Sequence, residues 1–362
     1  MGVNILGCTI SYAESRLIVF IHMMDKIALK QFFTHRYEVL RPFLDAYPQI
    51  CDVVIDPFAG EGHLLRLFEG VRAFAVDIDP DVQPDLVSNS FEYIPKFVNA
   101  LVITNPPYSH RHVLQKQDPV LYELVTAAGY TDLYEFAIRR VVDQLGLVPV
   151  FALLPENFIA SRTTKLRGEL CGRIRAVQVH SVSTCEDTDQ PTVMVYLSPE
   201  EVGATDLWVD GERRGEVLIG VDGFRPNLPV CANVVDFGMK PGQSVECLDT
   251  SILLQATDGG SPQNRIKLLR VFERFGSRHF HNKVSDRAYI QVVPHFLLSE
   301  GQIGVLIREF NQWVDGWRES THGLGLTSFR GNVGGFRRKR LDFKLARQVI
   351  NWLMDGQIIR GS

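Results

Sequence analysis

Cys51-Asp52-Val53-Val54-Ile55-Asp56-Pro57-Phe58-Ala59-Gly60-Glu61-Gly62-His63-Leu64-Leu65 is the stretch on which the fold turns. Cys51 to Ile55 read as a short buried strand, which runs into a glycine-bearing turn and then a helical pattern over 62–70. A glycine turn between strand and helix lets the backbone approach a ligand closely and points free amides at it. This one carries an acidic residue at its mouth. It lacks the lysine of a phosphate-binding loop and the third glycine of the dinucleotide fingerprint. A zwitterionic, amino-acid-like ligand therefore fits it better than a phosphate.

Working outward, the apolar positions Tyr37, Leu40, Phe43, Leu44 and Tyr47 recur at helical spacing and predict a helix leading into that strand. Downstream, Ala73-Phe74-Ala75-Val76 reads as a second strand with Asp77-Ile78-Asp79-Pro80 at its tip. A carboxylate there, roughly 20 residues after a glycine loop, is placed to bind ribose hydroxyls. A third apolar run, Leu101-Val102-Ile103, delivers Asn105-Pro106-Pro107-Tyr108. Two prolines cannot continue a hydrogen-bonded ladder, so the chain leaves the sheet here. What it presents suits a planar amine: the Asn105 carbonyl oxygen and the Pro106 carbonyl accept two hydrogens, and Tyr108 stacks on the ring that carries them. The plainer reading of these four residues is a proline-rich turn with a buried amide.

From 51 to 198 apolar runs (51–55, 72–76, 85–88, 100–104, 148–154, 174–179, 193–197) alternate with helical patterns (62–70, 120–145, 161–172). Such alternation calls for an α/β fold with a doubly wound, mainly parallel sheet and ligands beyond the strand C-termini. The three segments singled out above all fall at such ends.

Taken together, Asp-Pro-Phe-Ala-Gly-Glu-Gly, Asp-Ile-Asp-Pro and Asn-Pro-Pro-Tyr resemble an S-adenosylmethionine-dependent amino-methyltransferase, specifically a gamma-class DNA adenine-N6 methyltransferase of the restriction-modification type. Two further segments are similar to that family's pattern: Lys30-Gln31-Phe32-Phe33-Thr34, and Asp132-Leu133-Tyr134-Glu135-Phe136 with Leu153-Leu154-Pro155-Glu156-Asn157-Phe158. The resemblance covers about residues 28 to 198. It implies a class I, Rossmann-like methyltransferase domain over 28–200, with S-adenosyl-L-methionine held by Phe33, Thr34, Asp56, Phe58, Ala59, Gly60, Gly62, Asp77, Ile78, Ser90, Phe91 and Asn105. It assigns the chemistry to Asn105, Pro106 and Tyr108, on an adenine flipped out of double-stranded DNA. No metal is implied. A cognate restriction endonuclease would act separately, and the enzyme would act on DNA as a monomer.

The sequence departs from the family twice. Where the family offers an Asp followed by an aromatic to the cofactor's adenine, this chain has Asn89-Ser90-Phe91, so Ser90 or Asn89 must accept the amino hydrogens. Where a second aromatic wall for the target base commonly stands, the chain reads Ser183-Thr184-Cys185-Glu186-Asp187-Thr188-Asp189-Gln190. That wall is unassigned.

Past residue 200 the alternation stops. Short strands follow, with a hairpin signal at Asp210-Gly211. Residues 201–362 are expected to form a C-terminal mixed α+β domain ending in an amphipathic helix from Phe343 to Met354, with Leu345, Val349, Ile350 and Leu353 on one face. By the resemblance it is the target-recognition domain. Between Arg330 and Arg347 lie Arg330, Arg337, Arg338, Lys339, Arg340, Lys344 and Arg347 against the single acid Asp342. Flexible glycines with interleaved Phe and Arg suit a loop that tracks a phosphate backbone through Arg330, Arg337, Arg338, Lys339 and Arg340. A solvated basic loop is the plainer reading.

The length of 362 residues fits two domains. A net charge of −4 argues against a uniformly basic nucleic-acid binder, which leaves DNA contact to a local patch. Cys8, Cys51, Cys171, Cys185, Cys231 and Cys247 show no CxxC spacing and read as reduced thiols of a cytoplasmic protein. Residues 1–27 form an N-terminal extension; Met23 or Met24 would serve equally as the start. Its apolar core, Leu17-Ile18-Val19-Phe20-Ile21, is too short for a membrane span. Two other functions compete: the same fold acting on ribosomal-RNA adenine or protein glutamine, and a non-enzymatic nucleic-acid-binding module with a degenerate cofactor pocket.

Overall fold

The computed structural model describes residues 4–5, 8–9, 37–47, 50–160, 164–180, 191–224, 226, 228–237, 245–246, 252–259, 261, 264–270, 279–280, 289–328 and 338–359. It divides into two compact units, Met1–Phe158 with Arg162–Asp222, and Ile159–Ser161 with Gly223–Ser362.

The first unit is built on nine strands: β1 (Val53–Asp56), β2 (Arg72–Asp77), β3 (Leu86–Val87), β4 (Ala100–Thr104), β5 (Val150–Pro155), β6 (Ile174–Val179), β7 (Thr192–Leu197), β8 (Thr205–Val209) and β9 (Glu212–Val217). Their order across the sheet is β9-β8-β6-β7-β5-β4-β1-β2-β3. β1, β2, β3, β4 and β5 are mutually parallel. β7 runs antiparallel between β5 and β6. Every residue of β1, β4, β5 and β7 is buried, as expected of continuous apolar runs covered on both faces. Alternate positions send Val54, Leu101, Ile103, Phe151, Leu153, Met194 and Tyr196 into one core with Leu40, Phe43 and Leu44. Phe43 and Leu44 belong to helix α1 (Arg41–Asp45). The strand sequence reverses between β1 and β4, and in an open α/β sheet that reversal opens a crevice beyond the carboxyl ends of the two strands.

Four expectations change. The helix over 62–70 is a single 3-10 turn, Leu65–Leu67. Gly62 (φ +70°) and Gly70 (φ +80°), both in left-handed backbone, interrupt the segment at each end. The helix over 120–145 is two, α3 (Pro119–Ala127) and α4 (Leu133–Leu145), preceded by α2 (Arg111–Gln117). Gly129 at φ +79° lies in the break between α3 and α4. Finally, the Asp210-Gly211 hairpin expected beyond residue 200 is part of the large sheet, because β8 pairs in parallel with β6. Its turn residues sit at φ +48° and +85°, the left-handed values a two-residue hairpin demands. The outer strand carries Glu212, Arg213 and Arg214 exposed, which protects a sheet edge from further pairing. The first unit thus runs on to Asp222. The helical pattern over 161–172 becomes α5 (Lys165–Leu170) and a 3-10 turn; 161–163 lie outside the described residues.

In the second unit β10 (Val235–Phe237), β11 (Ile252–Gln255), β12 (Lys267–Arg270) and β13 (Tyr289–Pro294) form an antiparallel sheet in the order β10-β13-β11-β12. Helices α6 (Glu300–Ser320) and α7 (Phe343–Leu353) share its core through Ile303, Leu306, Phe310, Val314, Leu345, Val349, Ile350 and Leu353. α6 opens on a capping box, Ser299 with Gln302. α7 is capped by Asp342, whose Oδ1 accepts from the amides of Lys344 and Leu345. The predicted apolar face of this last helix is the buried one. No helix among the described residues is long and apolar enough to cross a membrane.

Candidate active site

The turn after β1 is tied down by its own amides. Phe58 N donates to Asp56 Oδ1 (3.0 Å), Ala59 N to the Val76 carbonyl (3.0 Å), Gly60 N to Asp77 Oδ2 (2.7 Å) and Gly62 N to the Ala59 carbonyl (2.8 Å). The expectation of ligand-facing amides here gives way to a different device. The amides of Phe58, Ala59, Gly60 and Gly62 are already engaged, and two carboxyl groups, Asp56 (1% exposed) and Asp77 (6%), lie buried beside the loop. Gly60 (φ +49°) and Gly62 (φ +70°) take the left-handed backbone that lets so tight a loop close. Burial pushes the Asp56 carboxyl up to about 7, and the neighbouring Asp77 charge adds to the shift. Asp77 Oδ1 also accepts from Asp79 N (2.9 Å), so this residue braces both the glycine loop and the turn after β2.

Aromatic rings stand beside the loop. Phe58 and Phe91 lie 5.5 Å apart between centroids, and Phe91 stacks on Phe136 of α4 at 5.5 Å and 25°. Phe58, Gly60, Gly62, Ile78 and Phe91 are all partly exposed, and Ala59 is buried. Ser90 is 4% exposed, and its hydroxyl donates to the Pro57 carbonyl. The Asn89 amide is engaged at both ends, Nδ2 donating to Glu92 Oε1 (2.9 Å) and Oδ1 accepting from Phe91 N (3.1 Å). The proposed adenine acceptors are thus also structural ties. Gln144 of α4 fixes the same segment by donating to the Ser90 carbonyl (2.8 Å) while accepting from Ile94 N (2.7 Å). Phe136 and Gln144 were not singled out from sequence; the Phe136 segment matched the family pattern but carried no assigned role.

At the end of β4, adjacent to β1, stand Asn105, partly exposed, and Pro106, buried. Tyr108 follows, largely buried. It is 4% exposed, its hydroxyl 2.7 Å from the Leu153 carbonyl of β5 and 2.5 Å from Asn105 Oδ1. Its ring meets Tyr134 edge-on at 6.3 Å and 88°. Tyr134 in turn meets Phe158 edge-on at 6.3 Å. Behind these rings Glu135, 1% exposed, accepts from Leu166 N (3.3 Å) and Thr131 Oγ1 (3.1 Å), and burial pushes its carboxyl up to about 7.

In the second unit, Arg338 and Arg340 are partly exposed. Arg338 Nε donates to the Asp258 carbonyl (2.9 Å), and Arg340 lies over the Phe343 ring. Lys339 corrects its assignment to a phosphate-gripping loop: it is 6% exposed and donates from Nζ to Ser328 Oγ (2.8 Å). It sits in a short antiparallel ribbon, Thr327–Ser328 against Lys339–Arg340, where alternation turns it inward. Buried Asp258 anchors this ribbon, accepting from Lys339 N (2.8 Å) and, bidentately, from Arg318 (2.7 and 3.0 Å). Phe33, Thr34, Arg330, Arg337 and the segment 183–190 lie outside the described residues. Among those described, no group of His, Cys, Asp and Glu is arranged to hold a metal ion.

No protein-family model matches the sequence, and no curated protein matches it. Among solved structures the chain is similar to a type I restriction-modification system methyltransferase subunit from Streptococcus thermophilus, at 14% identity and a TM-score of 0.36 over 57% of this chain and 53% of that one. It is similar to the type I restriction enzyme EcoKI M protein at 14% identity and a TM-score of 0.35, over 56% and 53% of the two chains. It is also similar to the ATP-dependent type ISP restriction-modification enzyme LlaBIII bound to DNA, at 11% identity and a TM-score of 0.37, over 91% and 28%. The matches span about half the length of the first two of those chains.

Proposed function

We propose that this chain is a DNA methyltransferase that transfers a methyl group from S-adenosylmethionine to the exocyclic N6 of adenine, as the modification component of a restriction-modification system. The observation that carries the reading is the pairing of two features at one switch point. A glycine loop closed over two buried carboxylates follows β1, and Asn105-Pro106 ends the adjacent β4.

The residues present fit the cofactor by their chemistry. With the amides of Phe58, Ala59, Gly60 and Gly62 already engaged and the carboxyls of Asp56 and Asp77 beside them, the loop offers little to a phosphate and suits a ligand that carries positive charge. The rings of Phe58, Phe91 and Phe136 offer a flat nucleobase an aromatic wall. Held beside Phe58, Phe91 and Phe136, the cofactor would supply an electrophilic methyl to the amine nitrogen, with the thioether as leaving group and the displaced amine proton passing to solvent.

The chain's part is to hold and prepare the acceptor. Adenine's amino nitrogen is a weak nucleophile because its lone pair is delocalised into the ring. Asn105 Oδ1 and the Pro106 carbonyl accept the two amine hydrogens, which favours a more tetrahedral nitrogen and fixes it for in-line attack. In duplex DNA that nitrogen lies within the stack, so the base is flipped out at a cost of roughly a few kcal/mol. The second unit, with Arg330, Arg337, Arg338 and Arg340, is assigned the DNA backbone.

The test is methyl transfer from labelled cofactor to unmethylated duplex DNA, to RNA and to a glutamine-bearing release factor, run separately. Label on N6-methyladenine in DNA alone supports the proposal. Label on RNA or protein alone moves the chain to those acceptors, and cofactor binding without transfer to any of them leaves the non-enzymatic module.

A further inference from the structure

Two arginines of the second unit are held by phenyl rings and not by carboxylates. Arg340 lies over the Phe343 ring at 5.5 Å, Phe343 meets Phe237 at 5.7 Å between centroids, and Arg347 lies over Phe237 at 5.1 Å. Cation, ring, ring and cation thus follow one another in a ladder. Three separate elements build it. Arg340 comes from the ribbon Lys339–Arg340, where strand alternation turns it outward as Lys339 turns inward. Phe343 and Arg347 come from α7, four positions apart and so on one face of the helix. Phe237 ends β10. All four side chains are partly exposed.

Other arginines of this unit are neutralised: Arg270 pairs with Glu300, Arg308 with Glu309 and Arg318 with Asp258. Among the described residues, Arg340 and Arg347 have no such carboxylate; their heads rest on rings. Arg347 Nε is buried and makes no hydrogen bond, so the Phe237 ring is what holds that head group. The acids nearest in sequence are engaged: Asp236 Oδ2 lies 3.0 Å from His295 Nε2, and Asp342 Oδ1 takes the amides of Lys344 and Leu345. Lys344, exposed, adds a third positive charge beside Phe343. A guanidinium covered on one face by a ring keeps the donors of its planar fork, and the ring has already restricted its motion before a ligand arrives.

We propose that this ladder is a preorganised grip for the phosphate backbone of DNA, with Arg340 and Arg347 as the phosphate contacts and Phe343 and Phe237 as the residues that position them. This rests on the reading of the chain as an enzyme acting on DNA, and it brings Arg347 and the two rings into the contact surface. Permanently charged planar forks match the paired oxygens of a phosphate. Anions repeated along a strand engage both forks at once, whereas a lone anion engages one. A chain of net charge −4 meets a polyanion only through a local patch of this kind.

The test is an anisotropy titration of the full chain with an unmethylated duplex of random sequence, repeated from about 50 to 200 mM salt. Arg347→Ala should lower the slope of log affinity against log salt by about one, and Arg340→Ala with Arg347→Ala by about two. Arg308→Ala removes the same charge from an ion-paired site and should leave the slope unchanged. Arg347→Lys keeps the charge and loses the fork, so affinity should fall by about threefold with the slope retained. Phe237→Leu should behave in the same way, because both charges remain while one loses its support. If Arg347→Ala does not fold, these last two variants carry the test. Wild-type affinity in both of them, an unchanged slope in the double variant, or an equal loss in Arg308→Ala overturns the ladder. So does a polyglutamate peptide that binds as tightly as DNA and is lost in the same variants, since the partner would then be an acidic protein. An unchanged slope in the double variant of a chain that methylates DNA leaves the proposed function standing. A slope that depends on the ladder, in a chain that transfers no methyl group, supports the grip and removes the proposed function.

Discussion

Gly60 of the loop after β1 donates its backbone hydrogen to Asp77 Oδ2 at the tip of β2, at 2.7 Å, while the other oxygen of the same carboxylate takes the amide of Asp79. One side chain therefore closes two turns that border the crevice. Asp77→Ala leaves two amides without their acceptor, each a loss of roughly 1–3 kcal/mol if water does not replace it. Cofactor affinity should fall by about tenfold or more, with a lower melting temperature. Asp77→Asn keeps one acceptor and should fall between. Gly60→Val should weaken the cofactor as well, because a β-branched residue is strained at φ +49°. Equilibrium dialysis showing unchanged affinity in all three variants would place the pocket elsewhere.

Asp56 predicts a pH dependence whose sign is fixed. Its folded pKa, about 7, lies above the ordinary carboxylate value of about 3.9, because burial disfavours the charged form. Between those values the folded state holds a proton that the unfolded state has lost. Stability of the cofactor-free chain therefore falls as pH rises through that window and levels off above it. Binding of a cationic ligand favours the ionised form, so affinity for S-adenosylmethionine should climb by up to about tenfold per pH unit below 7 and then flatten. Calorimetry from pH 5.5 to 8.5 checks this against Asp56→Asn, in which the climb should vanish. Glu135 is also pushed up to about 7, so part of the pH dependence of stability should survive in that variant.

Asn105→Ala should abolish methyl transfer and weaken cofactor binding far less, since its side chain is assigned chiefly to the acceptor nitrogen and eleven other residues are assigned to the cofactor. Retention of a tenth of wild-type turnover at saturating DNA would refute that role.

Basic residues of the second unit should separate into two classes. Replacing Arg330, Arg337, Arg338 and Arg340 with Ala should weaken binding to target and non-target DNA alike. The slope of log affinity against log salt should fall by up to ~4 if each contacts a phosphate. Lys339→Met should leave that slope unchanged, because the ammonium is buried against Ser328. An unchanged slope with lost target discrimination in the four-arginine variant would instead mean that the arginines read base edges.

Asp258→Ala should be among the most destabilising single changes in the second unit. It strands Arg318, whose side chain is 15% exposed, without its bidentate partner, and breaking such a buried pair costs ~3–5 kcal/mol. Denaturant titration of the full chain measures it; a loss under 1 kcal/mol would show that water takes the place of the carboxylate.

The strands of the first unit were legible in the sequence because each buried strand is a near-continuous apolar run. Val53 to Ile55, Leu101 to Ile103 and Val193 to Leu197 can only be satisfied between two covering layers. The final helix, Phe343–Leu353, was legible for the same kind of reason, its apolar residues falling on one face at the helical repeat. The turn at Asp210-Gly211 needed only the left-handed tolerance of its two residues. All of these depend on preferences that a short segment carries within itself.

What tertiary structure alone decided is where hydrogen-bond donors and strand edges find their partners. Nothing local to Gly60 says that its amide is claimed by Asp77, and nothing local to Thr205–Val217 says that it extends the first sheet by pairing with Ile174–Val179. The alternation around Lys339 does not reveal that Asp258, far away in sequence, holds its strand in place with the ammonium turned inward. The Tyr108 hydroxyl reaches a carbonyl on β5, a strand the motif itself does not contain. A local pattern fixes which face of an element is buried; which distant atom satisfies a given polar group is fixed only when the strands have taken their order in the sheet.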